Sequence, residues 1–259
     1  MAVYTEIDDE VLQDFVAEYD IGTVTGLKGI AEGVENTNYL LQTDRDSYIL
    51  TIYEKRVDPR DLPFFLGLLD HLSDRGVPCP PTIHGRDGNA LRRVAGKPAA
   101  IQTFLQGIWP KRPQTMHCGE VGAALARMHL AGLDYPHTRN NALSIDGWAE
   151  LVAETSNRAD EVAQGLGEEI AREFEDLSGL WRADLPTGVI HADLFPDNVF
   201  FMGDKLTGLI DFYFACTDAL AYDLAICLNI YLEYPLLTYK ENLSQYDLED
   251  FYLLEGYQY

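Results

Sequence analysis

Two periods of apolar residues divide the first hundred positions. Val11, Leu12, Phe15, Val16 and Tyr19 fall on one face of a helix that the pattern places over Asp8 to Tyr19. The period then drops to two. Asn38 to Thr43 and Tyr48 to Tyr53, rich in Tyr, Leu, Ile and Thr, flank the polar turn Asp44-Arg45-Asp46 and predict a β-hairpin. A second helix is expected from Asp61 as N-cap, with Pro63 in its first turn. Leu62, Phe65, Leu69 and Leu72 line it, and Gly76 ends it. Val77 to Pro81 reads as a proline-rich connection, and Pro98 to Phe104 as a short apolar strand leading into Leu105-Gln106-Gly107.

Beyond that point the helical period dominates. Val121, Leu125 and Met128 share a face within His117 to Leu130, and Ala142 to Trp181 is mostly helical with a charged exterior. Three short apolar runs interrupt it: Val189-Ile190, Val199 to Phe201 and Leu209-Ile210, each abutting polar residues. Asp218 to Leu232 returns to helix. Ser244 to Tyr257 opens on a Ser-x-x-Asp capping signal and carries Leu248, Phe251, Leu254 and Tyr257 at near-helical spacing. The expected fold is α+β: a strand-rich part over residues 1–105 and a mainly helical part over 106–259 that holds a polar-loop insert.

Composition narrows the function. A chain of 259 residues, 47% hydrophobic, is long enough for a sizeable core. Its net charge of −23 argues against nucleic acid and anionic membrane surfaces, which need a basic face. A phosphate ligand must then be held by backbone N–H groups, a metal, or a few of the scarce lysines and arginines. Cys79, Cys118, Cys216 and Cys227 are widely spaced, form no zinc-ligand pattern, and read as reduced thiols. The acidic N-terminus lacks a signal-peptide core, and no apolar run reaches the ~18 residues of a membrane span, so a cytoplasmic protein is expected.

The chemistry concentrates in residues 189–201, VIHADLFPDNVFF. His191, Asp193 and Asn198 sit in a loop between two apolar runs, and Asp211 ends a further run thirteen residues past Asn198. Phosphoryl transfer needs positioning and charge neutralisation more than covalent help. One Asp can orient the attacking hydroxyl, while a carboxylate and an amide oxygen are hard ligands suited to Mg²⁺. A lone His-x-Asp means little, and Asp197 reads as a turn residue. H-x-D-x₄-N followed at this distance by I-D-F, however, is the arrangement of a kinase catalytic loop and metal aspartate.

The chain resembles the aminoglycoside-phosphotransferase-like family of the protein-kinase-like, two-lobe fold, and within it the homoserine kinases. The resemblance covers residues 1 to 232. It is carried by Gly29 to Tyr39 (GIAEGVENTNY), YEKR at 53–56, DLPFF at 61–65, the loop at 190–201, and residues 210–225, which end in Tyr-Asp-Leu-Ala. It implies ATP- and Mg²⁺-dependent phosphorylation of the L-homoserine hydroxyl in threonine biosynthesis. It also implies roles. Asp193 is the catalytic carboxylate, and Asn198 and Asp211 hold Mg²⁺. His191 braces the loop, and Asp223 bonds the loop backbone. Gly29, Gly33, Asn36 and Asn38 form the phosphate-covering turn, and Thr103, Phe104 and Leu105 present backbone to adenine.

One position departs from the family. Where such kinases carry a strand lysine for the α- and β-phosphates, this chain has Thr51 or a neighbour. Lys55 shares the alternation of Thr51 and Tyr53 and either reaches inward or, like Arg56, is a solvated charge. Two further readings are a related kinase acting on choline, a sugar or an aminoglycoside, and a non-catalytic binding module. Intact Asp193, Asn198 and Asp211 speak against the last. Relatives of this type follow the 253–258 segment with further helices, so an incomplete helical part with exposed apolar surface is expected.

Overall fold

A computed structural model describes residues 4–31, 36–54 and 58–238, with side chains in the last helix described as far as Tyr231. Its first half is an antiparallel sheet with two helices. Strands β1 (Val24–Gly29), β2 (Thr37–Thr43), β3 (Ser47–Ile52), β4 (Thr82–Ile83), β5 (Arg92–Val94) and β6 (Lys97–Thr103) form it in the order β1-β2-β3-β6-β4, with β5 also on β6. The hairpin expected around Asp44 to Asp46 is β2–β3, in register from Thr37↔Ile52 to Gln42↔Ser47.

Alternation along these strands divides the sheet into two faces. Leu41, Leu50, Ile52, Ala99 and Ile101 point to one side, where helix α1 (Asp9–Val16) buries Leu12, Phe15 and Val16 against them. Val11, expected on that apolar face, is 41% exposed; the buried stripe runs through Leu12, Phe15, Val16 and Tyr19 instead. Ile49, Thr51 and Gln102 point the other way, into a cleft. Tyr53, two residues beyond Thr51, lies on that side too and joins the main core.

Helix α2 (Leu62–Asp74) links the halves through that core. Leu62, Phe65, Leu69 and Leu72 pack with Val121, Leu125 and Met128 of α3 (Thr115–Gly132) and with Val189, Val199, Leu209 and Phe212. Asp61 stands at the N-cap of α2, but its side chain makes no capping bond. Its carboxylate accepts from Arg139 Nε at 2.7 Å, so the expected cap is an ion pair to a later loop. Gly76, with φ of +79°, reverses the chain after α2 in a conformation that disfavours a side chain.

The helical half holds α4 (Ile145–Thr155), α5 (Leu166–Leu180) and α6 (Leu220–Thr238) around two small two-stranded sheets. Strand β7 (Thr187–Ile190) pairs with β10 (Cys216–Ala219), and β8 (Val199–Met202) with β9 (Lys205–Leu209). Thus Asp218 and Ala219, expected at the start of a helix, close a strand. All four cysteines are buried free thiols. Among the described residues no helix is long and apolar enough to cross a membrane. The helix expected over 244–257 falls outside the described residues.

Candidate active site

Strand register assembles the candidate residues. Pairing Val199↔Leu209 places Asn198 and Ile210 side by side at the end of the β8–β9 hairpin, where Ile210 N–H donates to Asn198 O at 3.0 Å. Asp211 follows at once. The loop entering β8 folds on itself: Phe195 N–H donates to Asp193 O at 2.8 Å and Asn198 N–H to Phe195 O at 2.9 Å. Asn198 Nδ2 donates to Asp193 O at 2.7 Å and to Asp193 Oδ2 at 3.1 Å. That use of the NH₂ turns the amide oxygen Oδ1 away from Asp193 as the acceptor end.

A cleft of about 680 Å³ collects these groups between the sheet and the loop. Asp193, Asn198 and Asp211 line one side; Asn36, Asn38, Thr51 and Gln102 line the other; and Thr103, Phe104 and Leu105 close the rear. The size and the mix of apolar wall with a few convergent polar groups suit a nucleotide-sized ligand. Close backbone approaches form the rear wall. Gly107 has φ of +142°, and a Cβ there would lie 2.6 Å from Thr207 Oγ1. A Cβ on Gly208 would lie 2.4 Å from Leu105 Cδ1. The two glycines let the 104–108 segment lie against the β8–β9 hairpin, joined by the Ile108↔Phe201 bridge.

Beneath the loop is a buried polar cluster. Asp223, fully buried on α6, accepts from His191 N–H at 2.8 Å and Ala192 N–H at 2.9 Å, and pairs with His129 Nε2 at 2.9 Å. Ala192 is held at φ of +63°, which an alanine rarely adopts; two bonds from its own and the preceding amide to one carboxylate hold it there. Burial alone would raise the Asp223 pKa, but hydrogen bonding and charge from His129 bring it below its usual 3.8. His191 is also fully buried. Its Nδ1 faces the Asp193 N–H at 3.3 Å and its Nε2 faces Ile210 O at 3.0 Å. The first neighbour only donates and the second only accepts, so the ring is the neutral Nε2–H tautomer. Burial lowers its pKa accordingly. His191 therefore ties the Asp193 side of the loop to the strand leading to Asp211. Asp211 itself has φ of +64°, a conformation that Asp tolerates better than most residues.

The structure brings together Asn36, Asn38, Thr103, Phe104, Leu105, Asp193, Asn198 and Asp211 on one cleft, with His191 and Asp223 directly below the loop. Asp197 lines the cleft as well, exposed in the short 3₁₀ turn Pro196–Asn198. Gly29 ends β1 opposite Tyr39 and is next to Ile30, which lines the cleft while Gly29 does not. Gly33 and Lys55 lie outside the described residues. Among the described residues, no Lys or Arg lines the cleft. Lys97 is engaged elsewhere: Glu54 Oε2 and Thr5 Oγ1 hold its ammonium. Residues that the sequence reading did not single out are His129, Gln102, Trp109 and Phe200. A lone His in a helix carries no signal, and Gln102 is visible only as a polar break in the Pro98 to Phe104 run.

Comparisons with known proteins agree with this geometry. The model of the phosphotransferase enzyme family matches residues 26–255. A homoserine kinase from Rhodospirillum rubrum is 57% identical over 252 residues, covering 95% of this chain and 78% of its own length. One from Paramagnetospirillum magneticum is 60% identical over 235 residues, covering 88% and 72%. Among solved structures, the amicoumacin kinase hAmiN, in complex with AMP-PNP and Ca²⁺, superposes with a TM-score of 0.74 at 18% identity, over 97% of this chain and 77% of its own. Spectinomycin phosphotransferase gives 0.71 at 16%, over 98% and 80%. The likeness to these structures fixes the protein-kinase-like α+β fold, and the closer sequence relatives fix the branch: the chain belongs to the phosphotransferase enzyme family, among its homoserine kinases.

Proposed function

We infer that this protein transfers the γ-phosphoryl group of ATP to the side-chain hydroxyl of L-homoserine, giving O-phospho-L-homoserine and ADP in threonine biosynthesis. The observation that carries it is 57–60% identity to homoserine kinases across 88–95% of the chain. The cleft geometry accompanies it, with Asp193, Asn198 and Asp211 on one wall.

The donor set fits Mg²⁺. Asn198 spends its NH₂ on Asp193, which leaves its Oδ1, beside the Asp211 carboxylate, as a hard oxygen donor on that wall. Bound Mg²⁺ would neutralise charge on the nucleotide phosphates. The protein's own part is positional. The Asp193 carboxylate accepts the proton of the homoserine hydroxyl. The hydroxyl oxygen forms a bond to the γ-phosphorus, the bond to the bridging oxygen breaks, and ADP leaves with that electron pair. Asn198 holds the Asp193 carboxylate in place, and Asp223 and His191 hold the loop that carries both. Adenine lies against the backbone of Thr103 to Leu105. Asn36 and Asn38 face the phosphates. The work site is the cytoplasm, where both substrates are present.

A panel of L-homoserine, L-serine, choline and an aminoglycoside with ATP and Mg²⁺, read by ADP release, tests this. Homoserine is expected to give the highest kcat/KM; preference for another alcohol would replace the substrate while leaving the chemistry.

A further inference from the structure

Asn36 and Asn38 line the cleft, and the opposite face of the same stretch of chain carries a closed polar cluster. Thr37, Tyr39 and Leu41 alternate with the two asparagines and turn to the side covered by α1. Residues 4 and 5, which precede α1, cross that side. The Tyr4 and Thr5 N–H groups donate to Thr37 Oγ1 at 2.9 and 3.2 Å, and the Tyr39 hydroxyl donates to Thr5 O at 2.6 Å. Glu54 gathers the rest. Its Oε1 accepts from the Thr5 and Thr37 hydroxyls at 2.6 and 2.8 Å. Its Oε2 accepts from the Lys97 ammonium, which also donates to Thr5 Oγ1 at 2.6 Å.

Sheet register brings these groups together. Ile52 pairs with both Thr37 and Ala99, and Tyr53 N–H donates to Pro98 O at 2.9 Å, so the same register sets Glu54 across from Lys97. Thr5 and Thr37 are buried, and the Glu54 side chain is 11% exposed. The bonds have one consistent sense. Each threonine hydroxyl gives its proton to Glu54 and accepts on its other side, Thr5 from Lys97 and Thr37 from two main-chain amides. A buried network satisfied in this way is rigid. Burial alone would raise the Glu54 pKa, but bonds from Lys97, Thr5 and Thr37 bring it below its usual 4.5.

The cluster reaches the cleft through the main chain of Glu54. Its N–H, two residues past the end of β3, donates to the side-chain Oδ1 of Asn36 at 3.3 Å. Asn36 is 5% exposed. With its oxygen engaged there, the other end of the amide is its NH₂, which can only donate. We propose that Glu54, Lys97 and Thr5 are positioning residues for the nucleotide: from behind the sheet they fix the amide of Asn36 so that its NH₂ donates to a phosphate oxygen. The assignment rests on the nucleotide site proposed above.

Glu54→Gln and Lys97→Met keep the size of each side chain and remove its charge. Thr5→Val removes one hydroxyl at constant shape, and Thr5→Ser restores it. The ATP KM is expected to rise roughly three- to tenfold in Glu54→Gln, Lys97→Met and Thr5→Val, the scale of one hydrogen bond. The homoserine KM should be unmoved, kcat should stay within about twofold, and Thr5→Ser should return the ATP KM toward the parent value. Asn36→Ala should raise the ATP KM by itself, and adding Lys97→Met to it should raise it no further, because the two act along one path. A purely structural role would lower the melting temperature and leave the ATP KM alone. Mg-ATP binding by calorimetry, with stoichiometry reporting the folded fraction, is measured beside an Asp211→Ala control. Parent-like affinity in Thr5→Val and Lys97→Met, or in Asn36→Ala, with binding lost in Asp211→Ala, overturns the positioning role and leaves the site standing. Additive losses in the double variant overturn the path through Asn36. Unimpaired binding in Asp211→Ala overturns the site and the positioning role together.

Discussion

At the residue scale, Asp193 and Asn198 are a short loop apart and joined by the 3.1 Å amide–carboxylate bond. Exchange of the Asp193 carboxylate for an amide keeps the shape but removes the proton acceptor proposed for the homoserine hydroxyl. Asp193→Asn should lower kcat about 10²–10⁴-fold with little change in Mg-ATP affinity; steady-state rates and calorimetry together separate the two effects. Asp211→Ala should abolish Mg²⁺-dependent nucleotide binding, and Asn198→Ala should weaken it, since Asn198 also braces Asp193. Titration with Mg-ATP checks both, and parent-like affinities would remove the metal assignment. This constellation is legible in sequence because its members are close together along the chain. The loop anchor is not, for His129 lies 94 residues from Asp223.

At the scale of elements, the Asp193 loop is a strained connection held from below. Ala192 would not keep its positive φ without Asp223, and Asp223 would not stay charged in a fully buried place without His129 and two amides. Removing one member of such a buried pair typically costs about 3–5 kcal/mol. Asp223→Ala should therefore lower the melting temperature sharply and slow turnover in the fraction that folds. His191 adds a pH dependence. Its folded pKa lies below the unfolded value of about 6.5 because burial disfavours the imidazolium. The neutral ring contributes stability that is fully present above that unfolded value and is lost as pH falls toward the folded one. The Asp223 window lies lower, below its usual 3.8. Melting temperature should fall as pH drops from about 7 to 5, and His191→Gln should flatten that slope. A parent slope already flat over the range would contradict the neutral-ring assignment. Helices α1, α2 and α3 were readable from apolar spacing, as was the β2–β3 hairpin. The two- and three-residue strands β4 and β5 were not, because they are set by pairing to β6 rather than by any pattern of their own. Asp61 shows the same limit: its position at a helix start was legible, its commitment to Arg139 was not.

At the scale of the whole molecule, the net charge of −23 surrounds a cleft that must take up a polyanion. Long-range repulsion of Mg-ATP is screened by salt, with a Debye length near 10 Å at 0.1 M. Moving from about 0.02 to 0.15 M NaCl should raise kcat/KM for Mg-ATP by roughly twofold or more, the reverse of the usual loss of binding at a basic site. Stopped-flow or steady-state rates across that range would read it; a fall with salt would point to local cations, Lys55 first, as the dominant field at the phosphates.

The central claim is that the Asp193 loop delivers a phosphoryl group to the hydroxyl of L-homoserine. The most direct measurement is ³¹P and ¹H NMR of a reaction containing protein, Mg-ATP and L-homoserine, run beside Asp193→Asn. The account predicts a phosphomonoester resonance coupled to the side-chain CH₂ of homoserine, growing in step with ADP and absent from the variant over the same time. ADP and inorganic phosphate without that ester, or an ester formed equally fast by Asp193→Asn, would contradict it.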